Sequence, residues 1–533
     1  MRIFSTSTHS VVAIAAIAAI AVGVLSLAGG QVQSYTGVLT WHNDNQRTGQ
    51  YLGETVLTPA NVNKKQFGKL FAYPVDGQIY AQPLYVNNVS VPGQGVHNAV
   101  YVATENDSVY AFDADGLSAA PLWQDSFINP DNGITAVPCA DTGACSALSP
   151  TMGITGTPVI DGTSGTLYVV AFTAENGDHV QRLHALDITT GAEKFGGPVE
   201  IQASVAGTGG GSSGGVIKFD PINESQRTAL LLSKGVVYMG WGTFANPPWH
   251  GWIMGYNAKT LKRVAVFMDT PNGVKGGIWG SGAGLAADGA GSLYVVTGDG
   301  TFDADTGGLD YGDSVLRLSP SAGGLSVPDY FTPFNQDYLN NNDLDIAAGG
   351  AVLLPPQPGS YPREMVAGGK EGVVYVINRD SLGGYTSTVN NIIQTVTTGG
   401  GGFWSTPAYF HNSLYISPTG GALGRYTLTN GLLSTTPVSQ SPILFKYPGV
   451  TPSVSANGTK NGIVWAIARV KNSPAVLHAF LASNLANHLY GSSQAGNRDI
   501  AGTSNKFVVP TVINGKVYVG TQTELDVYGL LPQ

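Results

Sequence analysis

The chain has 533 residues, 26 basic and 35 acidic, so only 11% are charged, beside 43% hydrophobic residues and 72 glycines. So few charges exclude a coiled coil or a charge-driven disordered chain. The glycines keep no three-residue period, which excludes collagen, and a net charge of −9 without a basic patch excludes a nucleic-acid binder. A large, turn-rich globular protein remains.

The first ten residues carry Arg2 and no acid, and Val11 to Ala28 is apolar apart from Gly23 and Ser26. With Ser26-Leu27-Ala28 as a small-x-small cleavage pattern, residues 1–28 read as a secretory signal, or, if uncleaved, as an N-terminal anchor. Either way the rest of the chain is expected outside the cytoplasm, secreted or periplasmic. Residues 31–65 then read as an extended arm. Its dense polar cluster runs from Trp41 through His42 to Arg47, residues that either pin the arm to the body by hydrogen bonds or bind a ligand. Cys139 and Cys145 are the two cysteines; in an oxidising compartment they are expected to close a small local disulfide loop. No Cys-x-x-Cys-His is present, so no c-type haem is expected.

From residue 66 on, short β-branched and aromatic strands recur every 40 to 60 residues, bounded by Gly, Asn, Asp and Pro. Eight copies stand out, at Val100-Tyr101-Val102, Leu167-Tyr168-Val169, Val236-Val237-Tyr238, Leu293-Tyr294-Val295, Val373-Val374-Tyr375, Leu414-Tyr415-Ile416, Ile463-Val464-Trp465 and Val517-Tyr518-Val519. Repeats of this length predict an all-β fold, an eight-bladed β-propeller of four-stranded antiparallel blades over residues 66–533. The last copy ends at Tyr528 and leaves no residues for its outer strand. The Phe67–Tyr73 segment is predicted to supply it, so that strands from both ends of the chain close the ring.

The copies with Val109-Tyr110-Ala111-Phe112-Asp113…Gly116…Trp123 and Leu183-His184-Ala185-Leu186-Asp187…Gly191 resemble the blade-docking repeats of the pyrroloquinoline quinone (PQQ) dehydrogenase-like superfamily. The opening and closing segments are similar to a group of secreted bacterial PQQ-like propeller proteins. The middle of the chain is similar to quinoprotein alcohol dehydrogenases. There the resemblance implies that Trp279 stacks under the quinone and that Asp299 is a calcium ligand. It further implies that Asp343, in Asn342-Asp343-Leu344-Asp345, is catalytic base and metal ligand, that Lys370 touches the quinone oxygens, and that Trp404 covers the site. The family's calcium-binding Glu would fall near Asn246, a neutral ligand, and its adjacent Cys-Cys pair is absent. The implied function is oxidation of an alcohol or sugar hydroxyl by a monomer, with PQQ and calcium in the central funnel.

Each residue also has a structural reading: blade packing for Trp279 and Trp404, turn formation for Asp299, Asp343 and Lys370. Two other functions therefore stay open: a non-catalytic propeller binding a glycan, peptide or protein in the funnel, and a polysaccharide lyase or hydrolase using funnel carboxylates and His250. The nine histidines show no zinc spacing.

Overall fold

Two-residue hairpins set the local structure. Asn176-Gly177, Lys234-Gly235, Asn430-Gly431 and Asn514-Gly515 each hold two successive positive φ values. That is the type I′ geometry whose twist matches antiparallel strands. Asn176-Gly177 joins Thr166–Glu175 to Asp178–Asp187 in an unbroken ten-residue register. The computed structural model in which these turns are seen describes residues 1, 2, 4, 34–243, 247–321 and 324–532; the predicted signal segment 11–28 lies outside them.

Eight antiparallel sheets of four or more strands follow one another along the chain, with a two-stranded ribbon, Ser204–Ala206 with Val216–Lys218, as an insertion. They are the blades of an eight-bladed propeller. We number them from the sheet containing Leu84–Val91 and Gly95–Ala103 (blade 1) to the one containing Thr511–Ile513 and Lys516–Gly520 (blade 8). Blade 8 takes its outer strand from the other end of the chain: Phe67–Pro74 pairs antiparallel with Glu524–Leu530. The closure expected from the sequence is thus present.

Strand alternation explains the low charge. Leu167 and Val169 face blade 1, while Tyr168 and Val170 face blade 3. Inner strands are therefore apolar on both faces. An apolar cluster fills each gap between neighbouring blades around the ring. The recurrent tyrosine docks one blade onto the next: Tyr101, Tyr168, Tyr415 and Tyr518 donate their hydroxyls to Ile188 O, Ala258 O, Ala482 O and Ala114 O of the following blade. Trp123, from the docking pattern noted above, donates its indole N–H to the same Ile188 carbonyl.

Residues 35–54 circle the central channel. Gly37–Val38 pairs with blade 1, and Leu39 O accepts from Ile160 N of blade 2. Asn45 bonds blades 3 and 4 (Leu232 O and Ala287 N), Gln46 O blade 5 (Leu353 N) and Thr48 O blade 6 (Tyr409 N). Gln50–Tyr51 joins blade 7 in parallel, and Glu54 accepts from Gly515 N of blade 8. Trp41, His42 and Arg47 do pin this segment. Arg47, fully buried, donates to Leu285 O, Thr40 Oγ1, Trp41 O and Leu230 O. The His42 ring lies between Arg47 O and Pro452 O, and burial pushes its pKa down to about 4. Gly49 (φ +70°) passes so close that a Cβ would sit 2.3 Å from that ring. Trp41 packs with Ala229, Ala283 and Val509 across the channel.

Candidate functional site

The residues just upstream of the innermost strands converge on a cavity of about 510 Å³. Blade by blade they are Leu148 (blade 2), Arg227 (3), Trp279 (4), Asp343 and Asp345 (5), Trp404 (6), Tyr447 (7), and Lys506 with Phe507 (8). In three of these segments a buried residue two to four positions further toward the strand, Ala229, Ala283 or Val509, meets Trp41. The cavity therefore lies on the side of the Trp41 plug away from the circling segment.

Its walls are aromatic. Phe507 meets Trp279 and Tyr447 edge-on at 6.4 and 6.3 Å, and Trp404 meets Tyr447 at 5.3 Å. Trp249 adds an indole N–H that is buried and has no partner among the described residues. The expected disulfide, Cys139–Cys145, is formed. It ties the short helix Cys139–Thr142 to the segment whose Ala144, Ala147 and Leu148 line the cavity.

One end of the cavity is acidic. Asp299, Asp343 and Asp345 each place a carboxylate oxygen within 4.8 Å of the others. Two lysines hold them. Lys370 Nζ lies 2.6 Å from Asp343 and 2.7 Å from Asp345, and Lys275 Nζ lies 2.8 Å from Asp299. The backbone N–H of Lys370 also donates to Asp345 O, which fixes the turn that carries it. Asp345 is buried and accepts from Trp279 Nε1 at 3.3 Å. Burial raises its pKa to about 6 against the pull of Lys370. Burial works against the Lys370 ammonium, but Asp345 and then Asp343 more than offset it and hold its pKa above the ordinary value. Asp343 is the open member of the cluster, its side chain 78% exposed, with φ +54°. Lys370 Nζ lies 5.8 Å from the centre of the Trp279 ring.

The structure thus brings Trp279, Asp299, Asp343, Lys370 and Trp404 into one cavity. Asn246 lies outside the described residues. His250 does not belong to the group. It is buried, with its ring nitrogens 2.8 Å from Thr270 Oγ1 and from Gly210 O, so the lyase or hydrolase reading loses its histidine. Sequence reasoning did not single out Arg227, Lys275, Asp345, Tyr447, Lys506 or Phe507. Most of them share one signal, a position a few residues before the innermost strand of a repeat, legible once the repeats are superposed on their Val-Tyr-Val strands.

Solved structures share the fold, among them two dehydrogenases. A quinohemoprotein alcohol dehydrogenase from Comamonas testosteroni superposes with a TM-score of 0.60 at 14% identity, over 92% of this chain and 80% of that one. A europium-containing methanol dehydrogenase gives 0.61 at 14% identity, over 93% and 98%. No family model matches the chain, and no curated protein matches it in sequence.

Proposed function

We propose that the cavity holds a pyrroloquinoline-type quinone beside a hard cation, and that the protein oxidises an alcohol or sugar hydroxyl. The carrying observation is the carboxylate cluster of Asp299, Asp343 and Asp345 at one end of a tryptophan-walled cavity. The residues fit such a group on three counts. Three carboxylates are an all-oxygen donor set suited to calcium or, as in the europium-containing neighbour, a trivalent ion. Trp279 and Trp404 offer flat faces, and the unpartnered Trp249 N–H offers a donor. The lining also carries Arg227, Lys275, Lys370 and Lys506 against the three aspartates, a net positive charge suited to an acidic cofactor.

Bound there, the quinone would supply the two-electron oxidant and the cation the Lewis acid that polarises it. Of the carboxylates, Asp343 is the one a substrate hydroxyl can reach, and it takes the proton. Asp345, with Lys370 on one oxygen and the Trp279 N–H on the other, orients the lysine and the ring rather than acting as base. The aromatic walls and the Trp41 plug exclude water from below. The disulfide agrees with export to an oxidising compartment. Among the described residues no helix is long and apolar enough to cross a membrane.

The test is a titration of purified protein with PQQ, with and without Ca²⁺ or Eu³⁺, followed by tryptophan fluorescence and dye-linked alcohol oxidation. Metal-dependent quenching with turnover is expected; no binding at micromolar PQQ with either ion overturns the reading. A second reading, a binding propeller without redox chemistry, is favoured by one observation: Lys275 and Lys370 already pair all three carboxylates. It predicts ligand binding that is indifferent to metal.

A further inference from the structure

The end of the cavity formed by blades 3 and 8 carries cations that, among the described residues, no carboxylate pairs directly; the charge of buried Glu105 reaches Arg227 only through space. Arg227 is 8% exposed, yet among the described residues its guanidinium has neither a hydrogen bond nor a carboxylate within ion-pair distance. It is held instead between rings, its Cζ 5.2 Å from the centre of Tyr80 and 5.0 Å from that of Phe507. Lys506 Nζ lies 5.4 Å from the same Phe507 ring and is likewise unpaired among the described residues. Arg469, also without a carboxylate partner among the described residues, lines a small pocket with Trp404 and Phe507.

A buried charge ordinarily loses its solvation only against an opposite charge or a full set of acceptors. Arg227 has neither within hydrogen-bond reach among the described residues, only the more distant charge of Glu105, and it lines the cavity. The rings fix the plane of the guanidinium, so its N–H edge is the part left to meet a ligand, and that fork matches a carboxylate. The acidic cluster at the other end disfavours a more highly charged, compact anion such as phosphate.

We infer that Arg227 and Lys506 form a carboxylate-binding subsite, and that the ligand of this cavity is a flat molecule carrying a carboxylate at the end remote from Asp343 and Asp345. The subsite rests on unpaired cations and not on redox chemistry, so it stands or falls separately from the quinone reading.

The probe is isophthalate, a flat aromatic dicarboxylate, with its dimethyl ester as the uncharged control, titrated calorimetrically into full-length protein. Isophthalate should bind saturably and the ester should not. Arg227→Met should weaken isophthalate binding at least tenfold, Arg227→Lys less, and Arg227→Met with Lys506→Met should abolish it. Because removing Arg227 leaves no hydrogen-bond partner behind among the described residues, the variants should fold, and far-UV circular dichroism checks this. Equal binding of acid and ester, no saturable binding to wild type, or an Arg227→Met affinity within twofold of wild type overturns the inference. Competition identifies the source of the carboxylate. Displacement of isophthalate by PQQ, weakened in Arg227→Met, assigns it to the cofactor. Isophthalate binding without any PQQ binding assigns it to another ligand and removes the quinone reading alone.

Discussion

Arg47 and Arg227 are both buried arginines at the hub of the ring, each over an aromatic ring, and they differ in what their donors meet. Arg47 donates to four oxygens, and the residues around it make hydrogen bonds to every blade. Arg227 donates to none among the described residues and faces a cavity. A satisfied buried charge is part of the architecture; an unsatisfied one at the same depth signals a missing partner. The same contrast divides the hub as a whole, a sealed end made by residues 35–54 and an open end where aspartates, lysines and tryptophans meet.

The sharpest way to break this comparison is Arg47→Met. It strands buried oxygens from three segments, and we expect a loss of about 3–5 kcal/mol in urea unfolding. A loss under about 1 kcal/mol would show that the seal contributes little. Next comes Asp345→Asn, which removes a carboxylate from the metal cluster and the partner of Lys370. Metal-supported PQQ affinity should fall by about tenfold or more, worth roughly 1.4 kcal/mol, with the melting temperature little changed. An unaltered titration would take Asp345 out of the site.

The two ends should also answer pH in opposite directions. His42 titrates near 4 in the fold against about 6.5 unfolded. Between those values the unfolded chain holds the extra proton, so stability falls as pH drops from 6.5 toward 4, by at most about 1.4 kcal/mol per pH unit from this group. Removing the imidazole should flatten that limb of the pH–stability curve. At the open end, burial and then Arg227 and Arg469 lower Lys506 to about 8. Isophthalate binding should therefore weaken severalfold from pH 7 to pH 9 as the ammonium is lost; the Tyr80 and Tyr447 hydroxyls, both raised by burial, stay neutral, and because Glu105, raised by burial to about 7, also ionises near Arg227, the Lys506 share is the part of the weakening that Lys506→Met removes. A profile that is flat, or that is the same in Lys506→Met, would exclude Lys506 from the subsite. The smallest expected effect is the counterpart of the first: Arg227→Met should change unfolding free energy by less than about 1 kcal/mol, since among the described residues it leaves no hydrogen-bond partner unpaired. A loss comparable to that of Arg47→Met would erase the distinction between the two arginines.

Much of the fold was legible in the chain because blades are local. Asn176-Gly177 with its flanking alternation specifies a hairpin with no help from the rest of the molecule, and the missing outer strand after Tyr528 pointed back to Phe67. The site was legible in part. Trp279, Asp299, Asp343, Lys370 and Trp404 carry motif-like neighbours, and all five line the cavity. Asp343 and Asp345 are two residues apart with the same side chain, and only the turn at Asp343 decides that one is open and the other buried. Arg227 and Lys506 are 279 positions apart on blades 3 and 8. Their meeting over Phe507 follows from the curvature of the closed ring, which no local pattern encodes.

The circling segment has a consequence for the order in which the molecule can be assembled. Residues 35–54 are made early, yet their partners are made later, the last of them at Gly515, 461 positions downstream of Glu54. Until blade 8 exists, the segment cannot complete its circuit, and Phe67–Pro74 has no neighbour to join. Sealing the channel and joining the two ends of the ring therefore belong to the same late step. A nascent chain must carry its own gasket and clasp unused until nearly its last strand is made, a delay expected of such long-range contacts.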